Sequence, residues 1–414
     1  MSTVQEAGFT QTQINTAPAA DLWQSRTDRP ADYYRIPALA VTNSGTLLAI
    51  SDLRYGNNSD LGNGHRIDLV MKRSFDNGKT WSEEQQLTHT PPDAQTGYGD
   101  AAVVADRTSA EVLLLCVQGN ISYQAGTKEN HQHIIKLVSH DGGNTFTQPQ
   151  DISAEIFKCN TAWESLFFAS GRIMQSRSIR TENRYRIYSA LLSKNYGNAV
   201  MYSDDFGDSW NVLGNPALSP IPGGDEAKTE ELPDGSIVLS SRTDGGRLFN
   251  IFTYSDPVSG SGSWGKPVFC AFGECRGTNG EVLVVKVRKT GTQKPVYLLL
   301  QSLPAAEERR NITIYWRELY PGPSSLRQLC DAAQWSTAVP ENTERMPYLV
   351  EEGFGGYSTM LMQKDGTIGF LYESHTRGYA PDGEKLEYDI RYKSLSIGII
   401  TGGKYEVEVL KKSE

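Results

Sequence analysis

Short runs of apolar residues separated by turn residues extend along most of the chain. Residues 67–73, 103–117 and 133–138 are examples that are rich in Val, Ile and Leu. Dipeptides such as Ser44-Gly45 and Asp234-Gly235 lie between apolar runs, which indicates β-hairpins. Gly and Tyr are plentiful, at 39 and 20 residues. This pattern fits strands joined by tight turns better than long helices, and it predicts an all-β protein.

An eight-residue pattern repeats along this background. The pattern S-x-D-x-G-x-T-W occupies residues 74–81, and it recurs at 139–146 with Phe for Trp and at 203–210 with Ser for Thr. A stretched version covers residues 255–264. The Asp is expected to accept hydrogen bonds from its own turn, and the Gly to take a positive φ. We therefore interpret these octets as structural turns, one per repeating unit.

A second hairpin precedes each octet, so each unit contains four strands. These hairpins are predicted at residues 39–50, 103–117 and 166–174, the last turning at Ser170-Gly171, and at 237–241 after Asp234-Gly235. Strands predicted at 281–286, 296–301 and 311–319 fit a fifth unit, and those at 360–362, 369–373 and 388–395 fit a sixth. Four strands make one propeller blade. The prediction is a polar N-terminal segment, 1–20, followed by one six-bladed β-propeller, 21–410.

Composition excludes several classes of protein. The formal net charge is −9, with no basic surface of the kind that nucleic-acid binding requires. No run approaches eighteen apolar residues, so no membrane span is predicted. The five cysteines form no CxxC pair and are expected to be scattered thiols, although Cys270 and Cys275 could bridge a loop. No cluster has metal-ligand spacing, and no cofactor is implied.

Arg35 lies in the most informative segment, Tyr34-Arg35-Ile36-Pro37. This segment, followed by several octets, resembles the bacterial-type exo-α-sialidase family over about residues 20 to 410. The resemblance implies a six-bladed propeller that hydrolyses terminal sialic acids from glycans, with retention of configuration. It also implies an exported enzyme, although residues 1–20 show no basic-then-apolar signal pattern. The sequons at Asn57 and Asn311 would place glycans near the site, which favours an unglycosylated bacterial protein.

The resemblance implies three arginines that bind the substrate carboxylate. They are expected to be Arg35, Arg247 and Arg309, with Arg310 as an alternative for the third position. Converging guanidinium groups suit this task, because bidentate charged hydrogen bonds give both strength and orientation. Glu373 is expected to brace Arg35 before substrate arrives.

The nucleophile implied by the resemblance is Tyr357, in Gly356-Tyr357-Ser358, with Glu226 as its base. Sialidases are the exception among glycosidases in using a tyrosine, and a neutral phenol avoids repulsion by the carboxylate on the anomeric carbon. Glu230 and Glu231 are expected to face solvent.

Two aspartates complete the expected site. Asp60, in a loop before the first octet, matches the general acid and base, and ligand binding should raise its pKa by burial. Asp100 matches a carboxylate in the substrate pocket, whereas Asp68 is expected to be structural.

Two other classes of activity fit the same residues or some of them. One is a trans-sialidase or an anhydro-forming variant, which would resolve the same covalent intermediate differently. The other is a propeller that binds sialic acid without catalysis, but a lectin has no need of a nucleophile with its base.

Overall fold

A computed structural model describes residues 18–25, 32–292, 294–320, 322–336, 345–375 and 387–407. Most of the predicted N-terminal segment, 1–17, and residues 408–410 at the far boundary of the predicted propeller lie outside these residues. The described chain is built from strands, with three short helices, α1 (Ser153–Cys159), α2 (Leu326–Leu329) and α3 (Ile397–Ile400). No described helix has the length and apolar character needed to cross a membrane.

The first strand, β1 (Ala20–Trp23), belongs to the last blade. Blade 1 consists of β2 (Asp32–Val41), β3 (Leu47–Tyr55), β4 (Ile67–Ser74) and β5 (Gln85–Gln86). Blade 2 consists of β6 (Gly97–Ala105), β7 (Val112–Gly119), β8 (His133–Ser139) and β9 (Gln150–Asp151). Both are antiparallel sheets whose first strand lies innermost.

Blade 3 differs from the prediction in its inner strand. It contains β10 (Leu166–Phe168), β11 (Gly171–Arg172), β12 (Met174–Thr181), β13 (Arg184–Ser193), β14 (Gly197–Ser203), β15 (Asn211–Val212) and β16 (Ile221–Pro222). Both β10 and β12 pair with β13, while β11 pairs with β6 of blade 2 in parallel. The predicted hairpin at Ser170-Gly171 is therefore wrong, and the true turn follows Thr181.

Blade 4 consists of β17 (Ala227–Glu231), β18 (Ile237–Thr243), β19 (Gly246–Asp256), β20 (Ser261–Trp264) and β21 (Val268–Ala271). Blade 5 contains β22 (Glu281–Lys289), β23 (Pro295–Ala306) and β24 (Arg310–Leu319), and the first part of β25 (Tyr348–Met362) is its outer strand. After a change of register, the second part of β25 becomes the inner strand of blade 6. One strand thus serves two blades.

Blade 6 joins the two ends of the chain. It continues from β25 through β26 (Ile368–His375) and β27 (Asp389–Leu395), and β1 pairs with β27 as the outer strand. A last strand, β28 (Tyr405–Val407), pairs with β22. Neighbouring inner strands contact one another around the whole ring. The six-bladed all-β propeller predicted from the sequence is confirmed.

Hydrophobic side chains fill the spaces between neighbouring blades. One such cluster joins Leu113 and Leu115 of β7 to Ile187 and Leu191 of β13. Because each blade packs against a neighbour on both faces, its middle strands are buried along almost their full length, and β26 is buried at every position. Polar side chains on these strands are consequently buried too, which brings charged groups into the interior.

The octets have the hydrogen bonds expected of structural turns. In the third, Asp205 Oδ1 accepts from the Ser209 amide at 2.8 Å and from Ser203 Oγ at 2.7 Å, and Oδ2 accepts from Ser209 Oγ at 2.6 Å. Burial alone would raise the pKa of Asp205, but these hydrogen bonds to the carboxylate outweigh it and lower the pKa. The turn is therefore more stable with an ionised Asp205.

Replacing Asp205 should destabilise the protein in a pH-dependent way. Asp205→Ala should lower the free energy of unfolding by about 1–3 kcal/mol near neutral pH, because several hydrogen bonds to a charged group are lost. Since the folded pKa lies below the unfolded value of about 4, the difference should shrink as pH falls below 4. Urea denaturation followed by Trp fluorescence would measure it, with the exposed Asp93→Ala as control. A difference that does not depend on pH would contradict this role of the carboxylate.

Candidate active site

The inner strands of three blades are interrupted at one end of the propeller. Their pairing changes register between Arg35 and Ala38, between Gly99 and Ala102, and between Gly355 and Ser358. Ile36 and Asp100 both have positive φ, 57° and 58°. Bulges re-aim side chains next to functional sites. Here they bring Arg35, Asp100 and Tyr357 to the same end of the ring.

Glu373 on β26 holds two of these segments together. Its Oε1 accepts from Arg35 Nε at 2.7 Å and from the Ile36 amide at 2.9 Å, while Oε2 accepts from the Tyr357 amide at 2.9 Å. Glu373 is fully buried, and the Arg35 side chain is 12% exposed. Burial tends to raise the pKa of Glu373, but the charge of Arg35 and the hydrogen bonds lower it. The carboxylate is therefore ionised and holds the Arg35 guanidinium in place.

Tyr357 and Glu226 form the centre of the site. The phenolic hydroxyl donates to Glu226 Oε2 at 2.5 Å, although the residues lie on blades 6 and 4. Burial and the negative charge of Glu226 raise the pKa of Tyr357 well above its usual value. Burial also raises the pKa of Glu226, against the opposing effect of Arg242. A neutral phenol thus faces a carboxylate that is able to take its proton.

Arg309 approaches this pair from blade 5. Its guanidinium carbon lies 5.6 Å from the centre of the Tyr357 ring, and that of Arg35 lies 5.9 Å from it. Arg310 instead stacks on Phe354, at 4.6 Å. Arg309 has a positive φ of 58°, which turns its side chain out of the path of β24. Of the two alternatives, the structure places Arg309 at the site.

The structure corrects the expectation for Arg247. This side chain is fully buried, and it donates to the carbonyl oxygens of Ser240, Thr278 and Asn279 at 2.6, 2.7 and 3.0 Å. Burial lowers the pKa of Arg247 to about 10. Three of its four hydrogen bonds go to backbone oxygens and the fourth goes to Ser240 Oγ, so the buried guanidinium supports the loop before β22.

Arg242 occupies the place expected of Arg247. Its Nη1 donates to Glu226 Oε2 at 2.7 Å and to the Tyr357 hydroxyl at 3.2 Å, and its side chain is 24% exposed. Arg242 ends β18 and pairs with the backbone of Glu226. Counting outward in both directions from the predicted Asp234-Gly235 turn places Arg242 opposite Glu226. The register of this hairpin could therefore have identified Arg242 from the sequence.

Arg54 is a second residue that the sequence reasoning missed. It is buried at the end of β3, where Nη2 contacts Asp52 Oδ2 at 3.0 Å and Nη1 donates to Asp60 Oδ1 at 2.7 Å and to the Asn58 carbonyl at 2.9 Å. Asp52 Oδ1 in turn accepts from the Asp100 amide at 3.1 Å. Arg54 therefore connects the loop of Asp60 to the inner strand of blade 2.

The three aspartates around Arg54 have different electrostatic environments. Burial raises the pKa of Asp52 to about 6, against the charge of Arg54. Burial and the neighbouring charges of Asp52 and Asp60 raise the pKa of Asp100 well above its usual value. The Asp60 side chain is 79% exposed, and although desolvation tends to raise its pKa, Arg54 and Arg35 lower it overall. Protonation of Asp60 therefore requires a change in these surroundings.

The loop that carries Asp60 packs against the polar segment 118–132. A Cβ at Gly62 would lie 2.1 Å from the Ser122 amide nitrogen, and Gly62 has a φ of +88°. Tyr123 of that segment is close enough to Asp225, beside Glu226, for their charges to interact. Residues 118–132 therefore border the candidate site.

Two further expectations concern carboxylates beside the site. Asp68 is buried and accepts hydrogen bonds from Thr88 and Thr90, consistent with a structural role. Glu230 and Glu231 do not face solvent, and that expectation was wrong: they are 0% and 2% exposed.

The five cysteines are free thiols.

The site is thus a buried tyrosine–glutamate pair, surrounded by three arginines and bordered by an exposed aspartate, at one end of a propeller. Comparison with other proteins identifies the family to which the chain belongs. Residues 63–368 match the BNR repeat-like domain family, and the chain belongs to this family. The resemblance to bacterial-type sialidases is confirmed as well.

Individual relatives support this placement. A sialidase from Micromonospora viridifaciens is 29% identical over an alignment of 372 residues, which covers 83% of this chain and 50% of that protein. The chain therefore spans half the length of this relative. The solved structure of the Hadza microbial sialidase Hz136 matches with a TM-score of 0.65 at 23% identity, over 92% of this chain and 69% of that one. The intramolecular trans-sialidase from Ruminococcus gnavus, in complex with oseltamivir carboxylate, matches with a TM-score of 0.68 at 18% identity, over 92% and 98%. These structural likenesses establish the fold.

Proposed function

We propose that the protein is an exo-α-sialidase that removes terminal sialic acids from glycans with retention, through a tyrosyl intermediate. The observation that carries the proposal is the 2.5 Å hydrogen bond from Tyr357 to Glu226, with three arginines beside it. Sialic acid has a carboxylate on its anomeric carbon, so its recognition requires cations, and attack on it favours a neutral nucleophile. The site supplies both.

In the proposed reaction, Arg35, Arg242 and Arg309 bind the substrate carboxylate. Tyr357 attacks the anomeric carbon while its proton passes to Glu226, and the bond to the glycosidic oxygen breaks. Asp60 gives a proton to that oxygen as it leaves. Asp60 then takes a proton from a water molecule, whose oxygen displaces Tyr357, and Glu226 returns the proton to the phenol. Two displacements at one carbon give net retention.

Asp60 must be protonated in the first step, although its pKa is lowered in the free protein. Bound substrate would change this in two ways. The sugar covers the exposed carboxyl group, and its own carboxylate neutralises Arg35 and Arg309, which lower the pKa of Asp60. Asp100, whose pKa is raised, lies beside Arg54 and is proposed to contact the sugar in the pocket.

The direct test of the proposed function is the product formed from a sialoside. Incubation with a 4-methylumbelliferyl sialoside or with sialyllactose should release free sialic acid, whose α anomer appears first in proton NMR spectra. Formation of the 2,7-anhydro sugar would identify the anhydro-forming alternative, and transfer to added lactose would identify a trans-sialidase. Absence of any cleavage, with retained binding, would overturn the proposal in favour of a lectin.

The role of Asp60 makes its own prediction. Asp60→Asn should lower kcat/KM for sialyllactose by about 10²–10⁴-fold, because a sugar hydroxyl leaves only with a proton. The loss should be much smaller for the aryl sialoside, since its leaving group departs without one. The matched control is Asp208→Asn, an equally exposed carboxylate that pairs with Lys136 instead of Arg54. Equal losses on both substrates in Asp60→Asn would contradict general acid catalysis.

A further inference from the structure

Beneath the Tyr357–Glu226 pair lies a group of buried charges that the proposed mechanism does not use. Side chains two residues apart share one face of a strand. Glu226, Lys228 and Glu230 therefore lie in a row along β17, and Thr359 follows Tyr357 along β25. Lys228 and Glu230 join Glu281 of β22 and Arg172 of β11. We call these four residues the ionic layer: Arg172, Lys228, Glu230 and Glu281.

Hydrogen bonds connect the ionic layer to the strand of the nucleophile. Thr359 Oγ1 donates to Glu281 Oε2 at 2.9 Å, and Arg172 Nη2 contacts Glu281 Oε1 at 3.5 Å. The same Arg172 nitrogen donates to Glu230 Oε2 at 2.8 Å. Two cations and two anions thus balance, which is the condition under which charges are tolerated inside a protein.

Lys228 occupies a space made for its ammonium group. The residue is 2% exposed, and Nζ donates to the Ser170 carbonyl oxygen. A Cβ on Gly171 would lie 2.4 Å from Nζ and 3.4 Å from Thr359 Oγ1, so the ammonium takes the volume of a side chain at that position. Gly171 also has a φ of +104°. The glycine signal at Ser170-Gly171, interpreted from the sequence as a hairpin turn, is explained by this close approach.

The ammonium group also acts on Glu226. Burial lowers the pKa of Lys228 to about 8, while Glu281 and Glu226 raise it and Arg172 opposes them. Lys228 lies two residues after Glu226, and side chains at that spacing share one face of a strand, so a charged Lys228 favours the ionised carboxylate. Other charged and titratable groups face Glu226 from the packed elements, and they are Arg242, Tyr357, Asp225, Asp100 and Arg247. Lys228 and Arg247 are the buried cations of this set.

We propose that Lys228 is a positioning residue, which keeps Glu226 ionised from below so that it can accept the proton of Tyr357. This inference rests on the proposed function. Arg242 neutralises Glu226 at the mouth of the site, but Arg242 must also face the substrate carboxylate. When the two anions compete for Arg242, the buried Lys228 still supports the charge of Glu226. The site then keeps its base at the moment when substrate is bound.

The experiment measures the acidic limb of kcat/KM against pH with an aryl sialoside. This substrate needs no proton from Asp60 in the first step, so the limb reports the ionisation of Glu226 in the free enzyme. Lys228→Met should move the limb to higher pH by about one pH unit, because it removes a unit charge two residues along the strand, which is a spacing of roughly 7 Å. Activity should fall about tenfold below the limb and should approach that of the wild type above it.

Two controls separate the charge from packing. Lys228→Arg keeps the charge and should leave the limb in place even where kcat falls, and Thr359→Val disturbs the same layer without changing its charge. If Lys228→Met does not fold, Lys228→Gln removes the charge and retains a donor for the Ser170 carbonyl. A uniform loss at every pH, with an unmoved limb, would overturn the proposal. A wild-type protein that cleaves no sialoside would instead refute the proposed function itself.

Discussion

Tyr357→Phe should lower kcat on a 4-methylumbelliferyl sialoside on the order of 10³-fold while leaving the propeller folded. The substitution removes one oxygen, which is the atom that attacks the anomeric carbon, and it leaves the aromatic ring in place. The ring contributes to packing beside Arg35 and Arg309. We therefore expect the circular dichroism spectrum and the unfolding midpoint to change little.

The chain offers a close control for this experiment. Tyr372 is also buried, and its hydroxyl also donates to a glutamate. This glutamate, Glu351, lies in the part of β25 that belongs to blade 5. Tyr372→Phe loses the same kind of hydrogen bond outside the site, so its activity should stay within a few-fold of the wild type. Binding of 2-deoxy-2,3-didehydro sialic acid should be retained in both variants. Activity of Tyr357→Phe near that of Tyr372→Phe would refute Tyr357 as the nucleophile.

The sequence predicted the fold from repeats, and it failed where local signals have more than one meaning. Glycine in Ser170-Gly171 is a valid turn signal, but here it makes room for Lys228 and for parallel pairing with blade 2. The bulges at the site could not be predicted either. Nothing in Ile36 favours a positive φ, because a β-branched residue resists that conformation. Tertiary contacts with Glu373 impose it.

Residues of the candidate site were predicted correctly where a short motif contains only one candidate for each position. Arg35 with Glu373, and Tyr357 with Glu226, come together as expected from residues more than a hundred positions apart. Arg247 was misplaced because the resemblance gives the blade but does not give the register. The register of the β17–β18 hairpin would have decided it, since it places Arg242 opposite Glu226. The burial of Glu230 could not be predicted, because a strand with charged residues at 228, 230 and 231 is typical of a solvent-facing strand.

The second prediction compares Arg242 with Arg247. Replacement of Arg242 by Met should mainly lower activity, whereas replacement of Arg247 by Met should mainly lower stability. Arg242→Met should lower kcat/KM about 10²–10³-fold with a smaller loss of stability than Arg247→Met, since its side chain is partly exposed and Glu226 keeps the hydrogen bond from Tyr357. Arg247→Met should lower the free energy of unfolding by about 3 kcal/mol or more, because three buried carbonyl oxygens lose their donor. Urea denaturation and steady-state kinetics measure both effects.

Inhibitors separate the carboxylate contact from any general damage. A sialic acid analogue should bind more tightly than its methyl ester, and Arg242→Met should remove most of that difference, because the ester lacks the charge that Arg242 would meet. Arg247→Met should preserve the difference in whatever fraction of the protein stays folded. If Arg247→Met abolished the preference for the free acid and Arg242→Met did not, the result would support the original expectation that Arg247 binds the carboxylate. The structure argues for the first result, because the guanidinium of Arg247 is fully buried and already donates to three backbone oxygens and to Ser240 Oγ.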